Sequence, residues 1–480
     1  MRRERDRFDE EELELLDADK FHDDHDEHES IFNPDRFHED EDDDAPLLAS
    51  GGGGSHSNAR KRTLSWRQRL ESLLKRKGQT KSSSLGDRRR RRTSSRCTLC
   101  CCLIFLLIST ISYFLFGYFY FRPAELPPPT LPDKSTNSTA RFLTLNIFMR
   151  PPGVKNNKSD YKEQRLDYII KYILPHYDVI TIQEAFAFAN RRIDHLAVEA
   201  RNLGFNYQVA SPRHYPWELA ADGGLLLLSR FPIKQADTLE FPRGIHADWL
   251  SKKGALHALV QLNATRTVHL YTTHTQASYD EAGALNQEDT LVRLSQFALV
   301  HDFIRNTARD DGSPVLIMGD LNIDAAAHKD EDIRKPSVAS SQAYTMMMQV
   351  LNGTGIQIDN QTMYSDPDWR IDTLHDVAYQ QFGYHPVTFG DFVRNTTTQK
   401  ENDLIPAETV LTHWDQLLTV QSIDRILWAD RYSHDVTVHN ITVEKFLTKD
   451  NKELDSSERE AIPFTQISDH YGLSCIVELV

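Results

Sequence analysis

Asp320 and Asn322 stand two residues apart at the end of an apolar run, PVLIMGDLNID (314–324). On an extended chain that spacing turns both side chains to one side. A carboxylate and a carboxamide where a buried strand leaves the core are costly to desolvate unless a cation, a phosphate or a catalytic water engages them. Four more candidate strand ends carry residues a hydrophobic core does not select. They are Asn146 in TLNIF, Gln183 and Glu184 closing DVITIQE, His274 closing HLYTTH, and Ser468, Asp469 and His470 before YGLSCIV. Singly these read as a bulge, a cap, a core histidine or a turn. Their joint occurrence at strand termini points to one shared site. Carboxylates with amides are hard oxygen ligands of the kind Mg²⁺ takes, and no Cys/His set for structural zinc is present. Two histidines beside such a metal supply a general base and a proton donor or phosphate contact. The chemistry implied is metal-assisted attack of water on a phosphoester.

The elements that must position these residues follow from hydrophobic periodicity. Strands are expected at 142–149, 178–181, 224–228, 268–273, 315–318, 422–428 and 473–479. Helices are expected at 163–177, where Leu166, Ile169, Ile170, Ile173 and Leu174 share a face, and at 191–203 and 291–306. There is no internal repeat. Residues 141–480 thus read as one α/β domain, large enough to bury a substantial core.

The 480-residue chain carries a net charge of -15, unevenly spread. Residues 1–50 have a net of -15, residues 51–96 a net of +13, and the remainder a net of -13. An acidic globular part lacks the electrostatic footprint of a nucleic-acid binder. Residues 1–96 hold too few large apolar side chains to build a core and read as a disordered tail. Within that tail EELELL (11–16) and DDAPLL (43–48) each place an acid four residues before a Leu-Leu pair. Both resemble the acidic dileucine signals that clathrin adaptors read in endosomal, vacuolar and lysosomal sorting.

Residues 97–121 are an apolar run without a charged side chain. At ~1.5 Å per helical residue it can span a bilayer core of ~30 Å with some tilt. Arg88 to Arg92 and Arg96 precede it, and only Arg122 and a Pro-rich stretch (122–140) follow. The positive-inside rule then keeps the N-terminus cytosolic, making the run a type II signal anchor with the domain lumenal or extracellular. Asn137, Asn157, Asn263, Asn352, Asn360, Asn395 and Asn440 all begin N-x-S/T sequons, and all follow the span. Cys97, Cys100, Cys101 and Cys102 cluster at its cytosolic end, where S-acylation is an option. Cys475 is the one cysteine beyond it, so an intramolecular disulfide there is excluded. The Pro-rich linker is expected to be a stiff spacer between bilayer and domain.

The order LN (145–146), QE (183–184), TH (273–274), GDLN (319–322), IDRI (423–426) and SDH (468–470) resembles the endonuclease/exonuclease/phosphatase superfamily, from about residue 141 to the end. The resemblance implies a four-layered α/β sandwich. TLNIFM, with no Trp-Asn, is unlike the apurinic endonucleases. THTQASY, VLIMGDLN, ISDHYGL and ADWLSKKGAL look like the neutral and bacterial sphingomyelin phosphodiesterases, with residues 329–341 as an insertion. That likeness implies Glu184 as principal Mg²⁺ ligand with Asn146 beside it and Asp469 nearby. It implies His470 as general base, and His274, Asp320 and Asn322 holding the phosphate and assisting a ceramide alkoxide. A neighbouring Asp320 would favour a protonated His274. Asp424 would orient, and Asp248 with Lys253 would form a switchable pair. The expected substrate is sphingomyelin or an inositol phosphosphingolipid, cleaved to ceramide and a phosphorylated headgroup. A phosphoinositide phosphatase, a nuclease, or an inactive membrane receptor or scaffold stay open as alternatives. The compartment stays open among Golgi, endosome, vacuole and plasma membrane.

Overall fold

The computed structural model describes residues 85–480 except 219, 279–286, 329–333, 359, 396, 399–402, 413–419 and 433. The two dileucine segments and part of the 329–341 insertion lie outside the described residues. The first helix, α1 (Leu85–Phe121), contains the apolar stretch Leu99–Phe121, which is long and apolar enough to cross a membrane and is exposed over most of its length.

Two six-stranded sheets follow. One contains β1 (Thr139–Met149), β2 (Val179–Ala185), β3 (Tyr207–Ala210), β4 (Leu226–Ser229), β11 (Val436–Glu444) and β12 (Gly472–Leu479), in the order β11-β12-β1-β2-β4-β3. The other contains β5 (Ile233–Glu240), β6 (Gly254–Gln261), β7 (Thr267–His274), β8 (Val315–Asp320), β9 (His375–Asp376) and β10 (Asp424–Ala429), in the order β9-β10-β8-β7-β6-β5. Phe142, Val179, Leu227 and Cys475 of the first sheet pack with Leu256, Leu270, Met318 and Trp428 of the second in one apolar layer. The opposite face of the first sheet packs on α2 (Lys162–Tyr172) and α3 (Arg192–Asn202) through Leu166, Ile169 and Leu196. The opposite face of the second packs on α4 (Gln287–Ala308) and α5 (Gln342–Leu351) through Leu294, Phe297 and Met347. The layers run helix, sheet, sheet, helix, each sheet apolar on both sides, which explains strands that read as continuous hydrophobic runs.

Several boundaries differ from the periodicity. The helix expected over 163–177 ends at Tyr172, and Leu174–His176 forms a separate 3₁₀ turn. Pro175 lacks an N–H and disfavours helical backbone at the residue before it. The strand expected at 178–181 continues to Ala185, so Gln183 and Glu184 lie inside β2. The last strand starts at Gly472, two residues beyond His470. The linker is not the spacer that its proline content suggests. Lys134 N donates to Arg230 O (2.9 Å), Thr136 N to Leu262 O (2.9 Å), and Asn206 Nδ2 to Leu131 O (2.9 Å). These bonds lay residues 131–136 along the domain. The structure corrects that expectation: backbone groups unpaired in an isolated polyproline segment here find partners on the domain surface.

Candidate active site

Register brings the polar strand ends together. β1 and β2 are parallel, with Asn146 opposite Gln183. β7 and β8 are parallel, with His274 opposite Asp320, and β10 runs antiparallel with Asp424 opposite the same Asp320. Gly319 permits this approach, because a Cβ there would lie 2.3 Å from Thr273 O. Gln183 ties the two sheets, its Nε2 donating to Thr144 Oγ1 (3.1 Å) on β1 and Thr272 Oγ1 (2.9 Å) on β7. The loop before β12 is held to β1 by Ser468 Oγ donating to Asn146 O at 2.6 Å. Glu184 and Asn322 both adopt left-handed backbone, φ 54° and 49°, a costly conformation for non-glycine residues that concentrates at functional sites.

The side chains form a buried network. Asn146 Nδ2 donates to Asp320 Oδ2 (3.0 Å) and Glu184 Oε1 (3.3 Å) and stands 3.4 Å from His470 Nε2. Asn146 Oδ1 accepts from Phe148 N at 3.0 Å. His470 Nδ1 meets Asp424 Oδ2 at 2.9 Å. Burial opposes a charge on His470, but Asp424, Asp320 and Asp469 outweigh it and hold the imidazole well above its ordinary value. Burial pushes Asp320 up to about 6, with His470 opposing and Asp424 adding. Burial and then the Asp469 charge push Glu184 up, while Arg150, His470 and Lys253 oppose. Burial likewise raises Asp469.

His274 corrects an expectation. Its Nε2 lies 3.6 Å from Asp320 Oδ2, yet burial, then Lys253 and His470, push it well below its ordinary value. The low-dielectric setting and two neighbouring cations outweigh the single carboxylate, so His274 is neutral. Its Nδ1 is buried without a partner. Asn322 donates from Nδ2 to Thr275 O at 3.0 Å, anchoring the chain after β7. Asp248 and Lys253 form a largely buried ion pair of 2.8 Å that grips the same segment. Lys253 Nζ donates to Thr275 O (2.8 Å), and Asp248 Oδ2 accepts from Ala277 N (2.6 Å).

Two groups of residues fit a hard cation. One ligand atom each from Asp320, Asp424 and His470 lies within 4.8 Å of the others. Asp424 Oδ2 and His470 Nδ1 pair there, while Asp424 Oδ1 is buried without a partner. Glu184 Oε2 is likewise buried without a hydrogen-bond partner, and Glu184 and Asp469 repel each other with no histidine paired to either among the described residues. Two buried like charges and an orphaned carboxylate oxygen form a donor set that a cation completes. The family of nucleases, phosphatases and related hydrolases described as Endonuclease/Exonuclease/phosphatase matches residues 143–470.

This chain belongs to that family.

A sphingomyelinase of Dictyostelium discoideum is 28% identical over 407 residues, covering 75% of this chain and 84% of the relative. Sphingomyelinase C of Bacillus cereus is 25% identical over 267 residues, 54% of this chain and 75% of the relative. The solved structure of sphingomyelinase C from Streptomyces griseocarneus is 20% identical and covers 72% of this chain and 100% of its own, with a TM-score of 0.48. The homologues within the Endonuclease/Exonuclease/phosphatase family are thus sphingomyelinases and phospholipases C, enzymes that hydrolyse phosphodiester bonds.

Sequence reasoning missed Arg165. Its guanidinium, fully buried on α2, donates to Ile147 O (2.8 Å), Phe148 O (2.8 Å), Ile467 O (2.7 Å) and Asp160 O (2.7 Å). Burial lowers it to about 10, against the pull of Asp469 and Asp160. It fastens the end of β1, which carries Asn146, to the loop that carries Asp469. The available signal was an arginine directly before Leu166 on the apolar face of a helix. Thr388 was also missed: its Oγ1 accepts from Ile423 N and Asp424 N, both at 3.1 Å.

Proposed function

We propose that the chain is a Mg²⁺-dependent phosphodiesterase of the sphingomyelinase type, hydrolysing a sphingophospholipid to ceramide and a phosphorylated headgroup. The observation that carries this reading is the single buried network linking Asp424, His470, Asp320, Asn146 and Glu184 at the ends of five elements. The character of the relatives supports it. Glu184 and Asp469 would hold the cation, with Asn146 alongside. When bound, the cation supplies a Lewis acid that makes water more acidic and offsets phosphate charge. Asp424, Asp320 and Asp469 hold His470 protonated, so its role as base needs their charge offset. With the cation bound, the neutral ring would take the proton of the attacking water at Nε2 while Asp424 accepts the Nδ1–H and fixes the ring. Asn146 spaces Glu184 from Asp320. His274 Nδ1, unpartnered, is free for a phosphate oxygen or the departing alkoxide, to which the proton finally returns. Lys253 and Asp248 hold the segment that follows His274 in place.

The anchor topology belongs to the same reading: a cytosolic tail over 1–96, a signal anchor over 97–121 and a lumenal or extracellular catalytic domain. None of the seven sequon asparagines is buried, as glycan attachment requires. The tail's dileucine pairs would engage clathrin adaptors.

The test offers sphingomyelin, inositol phosphoceramide, phosphatidylcholine and a plasmid to the full-length chain in mixed micelles, with Mg²⁺ or EDTA, beside His470→Ala. Ceramide release that needs Mg²⁺ and His470 is the expected result. Plasmid nicking with intact lipids would overturn the substrate, and silence on every phosphoester would favour a receptor or scaffold.

A further inference from the structure

The apolar helix does not end in solvent. Its last turns are seated against the catalytic domain at residues 213–217. Phe114 stacks on Trp217 with ring centroids 5.4 Å apart and planes 8° from parallel. Tyr113 and Tyr215 share a hydroxyl hydrogen bond of 2.8 Å, and Phe121 meets the Tyr215 ring edge at 5.2 Å. Gly117 makes the approach possible, since a Cβ there would lie 2.8 Å from Pro216 Cβ. Two arginines of the domain complete the contact. Arg191 donates to Tyr120 O and Arg122 O, and Arg213 to Phe121 O at 3.1 Å. These are carbonyls at a helix C-terminus, where unpaired acceptors and the helix dipole favour cations.

Beside this contact lies an apolar edge. Trp217 is 67% exposed, and Trp249 and Leu250 are each 57% exposed. The loops bearing them are paired: Ala221 N donates to Leu250 O (2.9 Å), Lys252 N to Ala221 O (3.0 Å), and Lys252 Nζ meets Glu218 at 3.0 Å. Arg243 lies over the Trp249 ring at 5.4 Å, so the edge is two tryptophans and a leucine fringed by basic side chains. That composition suits the boundary between lipid headgroups and acyl chains. Depth agrees. Phe114 is seven residues before Phe121, which at ~1.5 Å per residue sets the stacked Trp217 ring about 10 Å inward from the helix's end.

We propose that residues 213–217 and 249–250 form a foot by which the catalytic domain docks on its own anchor and enters the leaflet of the bilayer that the anchor crosses. The occupant of this edge is lipid of that same membrane. The site, whose Lys253 and Asp248 lie on the segment that bears Trp249, then takes its substrate in cis, from the leaflet beside its own anchor. This rests on the proposed topology and lipid substrate, and extends both.

The experiment uses the full-length chain in phosphatidylcholine nanodiscs containing doxyl-labelled lipid, in a background with serine at Cys97, Cys100, Cys101 and Cys102. Tryptophan quenching is compared among the parent, Trp217→Phe and Trp249→Phe, and the pair Gly117→Cys with Pro216→Cys is oxidised mildly to join helix and loop. The expected result is a disulfide in the cysteine pair and a partial loss of lipid quenching in each phenylalanine variant, because each keeps the other tryptophan of the edge. Quenching unchanged by both variants overturns the lipid occupant, and with a disulfide present it points to a protein partner or second copy instead. A folded cysteine pair that forms no disulfide overturns the docking. The expected quenching and disulfide in a protein that cleaves no sphingolipid would sink the substrate reading and leave the foot standing.

Discussion

His470 Nδ1 stands 2.9 Å from Asp424 Oδ2, with both side chains buried and Asp424 Oδ1 left without a partner. The pair fixes which ring nitrogen carries the hydrogen and aims Nε2 at Asn146 and Asp320. Asp424→Asn keeps the shape but removes the charge that fixes that tautomer. We expect kcat to fall about 10²–10⁴-fold with KM little changed. Steady-state kinetics beside a thermal melt checks this, and a melt lowered in proportion to activity would assign Asp424 a structural role instead.

His385 offers a pH dependence outside the site. Its Nε2 meets Ser340 Oγ at 2.9 Å, while Nδ1 is buried without a partner. Burial, and then Arg425, push it down to about 4. The unfolded chain therefore binds the proton more tightly, and the stability held by neutral His385 is fully present above about pH 6.5 and declines as pH falls towards 4. The amount at stake is roughly 2–3 kcal/mol. Chemical denaturation from pH 7 to 4 should show that slope, and His385→Gln should flatten it. An unchanged slope would place the acid sensitivity elsewhere.

Arg165 holds four backbone carbonyls around the site. Arg165→Met strips all of those donors from buried acceptors, and a loss of about 3–5 kcal/mol is expected. Arg165→Lys should recover only part, because one ammonium cannot reproduce the planar fork. Melting temperatures of the three proteins decide it, and equal values for Lys and Arg would show that charge alone matters.

The strands that carry the site were legible because both sheets are buried on two faces, so β1, β2, β7, β8, β10 and β12 are rich in apolar residues, and site residues such as Asn146, Glu184, His274 and Asp320 stand out at or near their ends. The sheet edges were not. β5 and β11 are half-exposed, with polar residues such as Lys234, Gln235 and His439 among their apolar ones, and they lack a run to detect. Arg165 escaped notice because its function is to bind carbonyls of Ile147 and Ile467, contacts that exist only after folding. The neutral state of His274 was unreadable for a similar reason. Its Asp320 neighbour is visible in the strand pattern, whereas complete burial and the approach of Lys253 come from tertiary packing.

Glu184 separates stability from metal binding. Its carboxylate is buried, raised by burial and by the Asp469 charge, and its Oε2 has no partner. Without a cation, two like charges share a low-dielectric space, so Glu184→Gln should raise the melting temperature in EDTA. With Mg²⁺ the order should reverse. A ligand that binds only the folded state at 100 times its Kd adds about 2.7 kcal/mol, and the wild type should gain on that scale while Glu184→Gln gains little. Melts in EDTA and in rising Mg²⁺ give both signs in one series. If Glu184→Gln keeps the full Mg²⁺ response while Asp320→Asn loses it, the cation sits on the Asp320, Asp424 and His470 side of the network, and Glu184 positions Asn146 instead.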